Sequence, residues 1–159
     1  MLKSLIFIIC LLVYASSCYA YSFVGQVDYV LDGDTLSVMS DGGYHRVRVA
    51  GVDAPELSQP YGLEAARVMR KLVQGQTVLV SVADKDKYGR EVGQVVVNNR
   101  CLSCVVLAKG AAWHWQYFDK SSTHFEQHSE LEKQARGKKL GLWKDEAAVA
   151  PWVWRRQGS

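Results

Sequence analysis

The sequence predicts an α+β domain, a five-stranded β-barrel of OB type carrying three α-helices. Three observations predict it. Short apolar runs alternate with polar residues and are broken by Gly- and Asp-rich turns, the period of half-buried strands. Between the third and fourth runs lies a segment with helical spacing. After the fifth run the pattern turns helical. Three strands, a helix, two strands and two helices suit a small barrel of this type.

The chain opens on a leader. MLKSLIFIICLLVYASSCYA carries one basic residue, Lys3, an apolar core from Leu5 to Val13 and a small-residue end at Ala20. That is the layout of a secretory signal peptide. The apolar run is shorter than the roughly 20 residues a membrane helix needs. A signal peptide over 1–20 and a single domain over 21–159 are therefore expected, in a secreted or periplasmic protein. Two alternatives stand beside this. The leader stays attached as an anchor, or ASSC serves as a lipoprotein box that anchors the chain through a lipidated Cys18, with Ala15 where a large aliphatic residue is usual.

In the domain, SFVGQVDYVL is the first strand and TLSVMS the second. DGG at Asp41–Gly43 turns the chain into YHRVRVAGV, Gly supplying the positive φ of a tight hairpin. Val47 and Val49 then face one way and Arg46 and Arg48 the other. GLEAARVMRKLVQG reads as a helix with Leu63, Ala66, Val68 or Met69, and Leu72 on one face, ended by Gly75. TVLVSVA and EVGQVVVNN are the last two strands, joined by DKDKYGR. CLSCVVLAKG is a short helix closed by Gly110. The aromatic run AAWHWQYF leads to a long polar helix, roughly Ser122 to Lys139, with SSTHFEQ as its cap and GLW at its end. APWVWRRQGS is a short aromatic-basic tail. No internal repeat or linker interrupts this order.

Composition narrows the function. The formal charge is +3, and loss of Lys3 with the leader makes it +2. So mild a charge gives no overall nucleic-acid footprint, and any such site must be local. With Cys10 and Cys18 in the leader, the domain keeps only Cys101 and Cys104, in CLSC. The pair suits a small-loop disulfide in an oxidising compartment. Zinc needs about four ligands, and no second CxxC or nearby His pair supplies them. The strand-then-helix layout of a thiol–disulfide oxidoreductase is absent as well, so a structural or incidental role is expected. His124 and His128 are four apart on one helical face, but that helix reads as charged and solvent-facing. His45 reads as a surface strand residue.

The informative stretch is VDYVLDGDTLSVMSDGGYHRVRVAGVDAPE, Val27 to Glu56. On its own DGDT is an ordinary turn, and so is VDAPE. Together, at the ends of neighbouring strands and with Arg48 five residues before Asp53, they can converge. Asp34 and Asp53 then offer two carboxylates to a hard cation. Ca²⁺, which takes six to eight oxygens, fits better than zinc. DKDKYGR is by itself a solvated loop; if it folds over the same site, Arg90 joins Arg48 in gripping a phosphate bidentately. Fixed cations of this kind are what phosphodiester cleavage needs. Glu56 is placed to activate a water.

These residues carry a resemblance. DGDTLSV, followed nine residues later by RVAGVDAPE, is similar to the first signature of the staphylococcal nuclease (thermonuclease) family. DKYGREVGQV is similar to the second, with Val96 just beyond it where an aromatic is usual, and the likeness extends over essentially the whole domain. The resemblance implies an OB barrel with three helices and a Ca²⁺-dependent endonuclease that cuts DNA and RNA to 3′-phosphate ends. It implies Asp34 and Asp53 as metal carboxylates, Ala54 as a metal ligand through its backbone carbonyl, and Asp32 as an outer-shell carboxylate. It implies Arg48 and Arg90 as the phosphate arginines, Glu56 as general base and Tyr88 beside the nucleotide phosphate. The base-stacking aromatic falls among Trp113, Trp115 and Tyr117, residues that can equally pack against the last helix. A monomer with no stable protein partner is expected, and membrane attachment only through Cys18. The rival reading is a non-catalytic OB module that binds nucleic acid or protein.

Overall fold

The computed structural model describes residues 20–116 and 123–158. The strands are β1 (Tyr21–Val30), β2 (Thr35–Ser40), β3 (Gly43–Val49), the two-residue β4 (Val52–Asp53), β5 (Thr77–Lys85), β6 (Glu91–Val97), β7 (Arg100–Cys101) and β8 (Trp113–His114). The helices are α1 (Gly62–Val73), α2 (Leu102–Ala108), α3 (Phe125–Gly137) and α4 (Pro151–Gln157), with a 3₁₀ turn at Gly141–Lys144. The order β3-β2-β1-β5-β6 runs round a sheet that closes on itself where β3 pairs with β6 in parallel, Val47 opposite Glu91 and Val49 opposite Gly93. The expected five-stranded barrel is therefore present.

Alternation builds it. Val78, Val80 and Val82 of β5 and Val95 and Val97 of β6 turn inward, meeting Val27, Val30, Leu36, Val38, Val47 and Val49. β-Branched residues suit such a pleated, crowded interior. The β2–β3 hairpin places Ser40 opposite Gly43, and Gly43 takes φ +105°, as the turn demands. α1 and α2 close the barrel with Met69, Val73, Leu102, Val106 and Leu107.

Four expectations are corrected. α1 buries Ala65, Ala66, Met69 and Val73, whereas Leu63 is exposed. The helix faces the barrel with small residues because it lies so close to the loop after β1. A Cβ on Gly33 there would stand 2.4 Å from Ala54 Cβ and 3.0 Å from Ala65 Cβ. α3 begins after His124, with no side chain capping it, and of the cap proposed in SSTHFEQ residues 121 and 122 lie outside the described residues. His45 is not a plain surface residue: its ring stacks on Phe23 at 4.0 Å and its Nδ1 meets Glu91 Oε2 at 2.9 Å. The tail is a fourth helix, α4, with Pro151 at its first position, where a missing N–H costs nothing. Among the described residues no helix is long and apolar enough to cross a membrane. Residues 1–19, with Cys18, lie outside the described residues.

Candidate active site

The loop after β1 and the strand β4 meet through one carboxylate. Asp34 Oδ2 accepts from the backbone N–H of Ala54 at 2.9 Å, and its Oδ1 accepts from Thr35 Oγ1 at 3.1 Å. The DGDT and VDAPE motifs are thus tied together rather than merely adjacent. Arg48, on the outward-facing register of β3, reaches both acids. Its Nη1 lies 3.2 Å from Asp34 Oδ2, and its Nη2 donates to Asp53 Oδ1 at 3.0 Å. Nη1 also donates to the Val52 carbonyl at 3.0 Å. β4 pairs with β8, Asp53 opposite Trp113, which fixes the second acid from its other side.

The DKDKYGR loop is held by its own aspartate. Asp86 Oδ1 accepts from the N–H of Tyr88 and of Arg90, both at 2.9 Å, and its Oδ2 accepts from Arg90 Nε at 2.7 Å. The loop so fixed points Arg90 inward, where Nη1 donates to Thr35 Oγ1 at 3.1 Å.

These groups line one cleft of about 810 Å³. Asp32, Asp34, Asp53, Ala54, Glu56, Arg48, Arg90, Tyr88 and Trp115 all face it. The buried acids Asp34 and Asp53 form its floor, while Lys85, Lys87 and Tyr88 stand exposed at its edge. Tyr88 lies against two cations, with Lys87 Nζ 5.0 Å and Arg90 Cζ 5.6 Å from its ring centre. Trp113 is a correction: it does not line the cleft. It packs edge-on against Trp143 and Trp152, at 4.4 and 5.7 Å between ring centres, and lines a separate small cavity. Although it lies opposite Asp53 in the β4–β8 pair, its ring packs against the cluster of Ala135, Leu142 and Trp143 instead. Trp115, two residues on, reaches the cleft and lies 5.1 Å from Trp152. Tyr117 lies outside the described residues.

One residue of the site was invisible in the sequence. Arg155 of α4 reaches across 102 positions: Nη2 lies 2.8 Å from Asp53 Oδ2, and Nη1 lies 2.7 Å from Glu56 Oε1 and 3.3 Å from Asp53 Oδ1. α4 is held in reach of the acids by Gln59, whose Nε2 donates to the Val149 carbonyl at 2.6 Å. The only local sign was Pro151 as a helix start in an aromatic-basic tail.

Burial pushes the Asp32 carboxyl up to about 6, and the neighbouring Asp34 charge adds to the rise. Burial also raises Asp53, against the opposing hydrogen bond from Arg155. For Arg155 burial acts to lower the value, but the hydrogen bonds to Asp53 and Glu56 outweigh it and hold the guanidinium above its ordinary range. For Asp86 burial acts upward, and the hydrogen bonds from Arg90 outweigh it, leaving the carboxyl below its ordinary range. At Asp53 desolvation thus outweighs the two arginines paired with it. Every carboxylate facing the cleft offers oxygen, and no His or Cys lines it. That donor set fits a hard cation such as Ca²⁺.

The chain is similar to known proteins over most of its length. Residues 46–145 match the family described as Staphylococcal nuclease homologue. The chain is 36% identical to "Protein ParB" of Escherichia coli over 93% of this chain and 87% of that one. It is 37% identical to an "Uncharacterized endonuclease" of Escherichia coli O157:H7, over 84% and 85% of the two chains. It is also 37% identical to a "Micrococcal nuclease" of Shigella flexneri, over 84% and 81%.

Proposed function

The chain belongs to the staphylococcal nuclease family, and on that premise we propose that it is a Ca²⁺-dependent endonuclease that hydrolyses DNA and RNA to 3′-phosphate ends. The observation that carries the reading is the convergence of Asp34, Asp53, Arg48 and Arg90 on one cleft. A scaffold that only bound nucleic acid would have no use for buried carboxylates raised by desolvation beside two fixed guanidiniums.

In this reading Asp34 and Asp53 would hold Ca²⁺, with the Ala54 carbonyl as a further ligand and Asp32 outside them. Bound Ca²⁺ supplies positive charge against the extra negative charge that builds on the phosphate as the bond breaks. Arg90, held by Asp86 and Thr35, donates to phosphate oxygens and steadies the leaving 5′ oxygen. Arg48 faces the phosphate from the opposite motif. Glu56 takes a proton from the attacking water. Tyr88 and Trp115 line the approach for the nucleotide, and stacking on an aromatic tolerates any base. Phosphate contacts position a strand without reading its sequence, which suits an enzyme acting on DNA and RNA alike as a monomer. Residues 1–20, read as a signal peptide, would carry it out of the cytoplasm, and mass spectrometry of the mature N-terminus distinguishes a start at Tyr21 from a lipidated Cys18.

The test is hydrolysis of plasmid DNA and of single-stranded RNA with Ca²⁺ and with a chelator. The reading expects cutting with Ca²⁺, none with chelator, and products that polymerases extend only after phosphatase treatment. Cutting that survives chelation, or folded protein that cuts neither substrate, overturns it.

A further inference from the structure

No second CxxC or nearby His pair was expected to join the CxxC pair, and in the structure one histidine does. Contrary to the sequence reading, the pair does open a helix after a strand: Cys101 ends β7 and caps α2, and Cys104 lies within α2, with their Cα atoms 5.2 Å apart and their sulfurs joined as a disulfide. α3 packs across α2 and turns His128 inward, where it is fully buried. His128 Nε2 lies 3.7 Å from Cys101 Sγ, and the ligand atoms of Cys101, Cys104 and His128 all lie within 4.8 Å of one another. The Cys104 N–H donates to Cys101 Sγ at 3.2 Å, a contact that favours a thiolate there. None of the three residues lines the acidic cleft.

Zn–S and Zn–N bonds of about 2.3 and 2.0 Å at a tetrahedral ion set the S···N edge at about 3.5 Å. Cys101 and His128 already stand close to that spacing. Two thiolates at the C-x₂-C interval with one imidazole form a soft N/S donor set, opposite in kind to the all-oxygen cleft. We propose that Cys101, Cys104 and His128 form a second metal site, which in the dithiol state binds one zinc-class d¹⁰ cation. Water or a further donor fills the fourth position. The disulfide is the metal-free form. Two equivalents of a small-molecule thiol reduce it to the dithiol and leave as their own disulfide; Zn²⁺ then binds the two sulfurs, releasing the two thiol protons. The bound ion pins α3 to the β7–α2 corner, so metal occupancy depends on thiol redox state and not on Ca²⁺.

The experiment uses the full chain, reduced under anaerobic conditions or left oxidised, titrated with Zn²⁺ against a chromogenic chelator and with Co²⁺ as a spectroscopic probe in excess Ca²⁺. The reduced chain should take up one ion per molecule and show thiolate-to-Co²⁺ charge-transfer bands with the intense d–d bands of a tetrahedral site. The oxidised chain should show neither. Loss of an outer-shell partner alone costs about 10–100-fold in affinity, so removing a ligand by His128→Gln or Cys104→Ser should weaken Zn²⁺ binding at least about 100-fold. Because His128 is buried, Cys104→Ser, at a half-buried position, decides the matter if His128→Gln fails to fold. Equal uptake by the oxidised chain, no uptake by the reduced one, or wild-type affinity in folded Cys104→Ser overturns the proposal.

Discussion

Asp53 is gripped on both oxygens, by Arg48 at 3.0 Å on Oδ1 and by Arg155 at 2.8 Å on Oδ2. The two arginines come from opposite ends of the domain, β3 and α4. An ionised carboxylate buried this deeply costs several kcal/mol unless it is paired, and here the fold supplies the pairing from its own cations. Any divalent ion that reaches Asp53 meets a site already half neutralised. Arg155 also holds Glu56, so the same guanidinium ties up the group assigned as base.

Arg155→Ala removes a cation that competes for Asp53. Its side chain is half exposed, so the pair is worth only about 1 kcal/mol. Calorimetric titration should show Ca²⁺ binding about fivefold more tightly than in the unsubstituted chain. The chelated variant should melt at a lower temperature, because Asp53 loses one of its two partners. Weaker Ca²⁺ binding in this variant would mean that Arg155 helps to hold the site together for the ion rather than standing in its place.

Arg48 and Arg90 look equivalent as phosphate ligands, yet the structure separates them. Arg48 neutralises two buried acids, whereas Arg90 pairs with one half-buried acid, Asp86. Both substitutions to Ala should lower kcat/KM by about two orders of magnitude or more, the scale of losing one fixed donor to developing charge. Arg48→Ala should also destabilise the chelated protein, by about 3 kcal/mol for uncompensated buried charge, with Ca²⁺ restoring much of the loss. Arg90→Ala, which breaks one half-buried pair, should cost less than that, about 1–2 kcal/mol. Thermal melts with chelator and with Ca²⁺, run beside the kinetics, check both.

The barrel and the floor of the cleft were legible because they are written locally. The valines of β5 and β6 alternate at the strand period, and DGDT and VDAPE each end a strand. Arg90 was legible because Asp86 folds its own loop. What the sequence could not carry is long-range placement. Nothing in PWVWRRQ says that Arg155 comes to Asp53, and nothing near CLSC says that His128 arrives from α3. The α1 face was misjudged for a related reason: apolarity alone favoured Leu63, but the close approach of Gly33 requires alanines there.

Asp32 gives the chelated protein a specific pH response. Its carboxyl is pushed up to about 6 in the fold from an ordinary 3.8. Between those values Asp32 holds more proton in the native state than in the unfolded chain, so its contribution to stability is full below about pH 4 and is lost as pH rises through about 6. Asp53, also raised, acts in the same direction. Asp32→Asn mimics the protonated acid at every pH. It should leave the melting temperature near pH 4 unchanged and raise it at pH 7.5, by an amount whose ceiling is about 3 kcal/mol for a shift of this size. Melts in chelator across pH 4–8 should therefore show a shallower decline than in the unsubstituted chain. An unchanged slope would remove Asp32 as its source.

Trp113 and Trp115 should part company in the same way. Trp113 lies in the second apolar cluster beside Leu142 and Trp143, with Arg136 Cζ 4.4 Å from its ring centre and an indole N–H that meets no acceptor among the described residues. Its truncation removes packing, and Trp113→Ala should cost about 3–5 kcal/mol of stability, while kcat/KM per folded molecule changes little. Trp115 faces the cleft. Trp115→Ala should raise KM for single-stranded DNA about tenfold, the size of one lost base stack, and leave kcat within a small factor. Denaturant melts paired with initial-rate kinetics on both variants read the difference. If Trp115→Ala unfolds the protein while Trp113→Ala weakens substrate binding, the two rings have the opposite assignments.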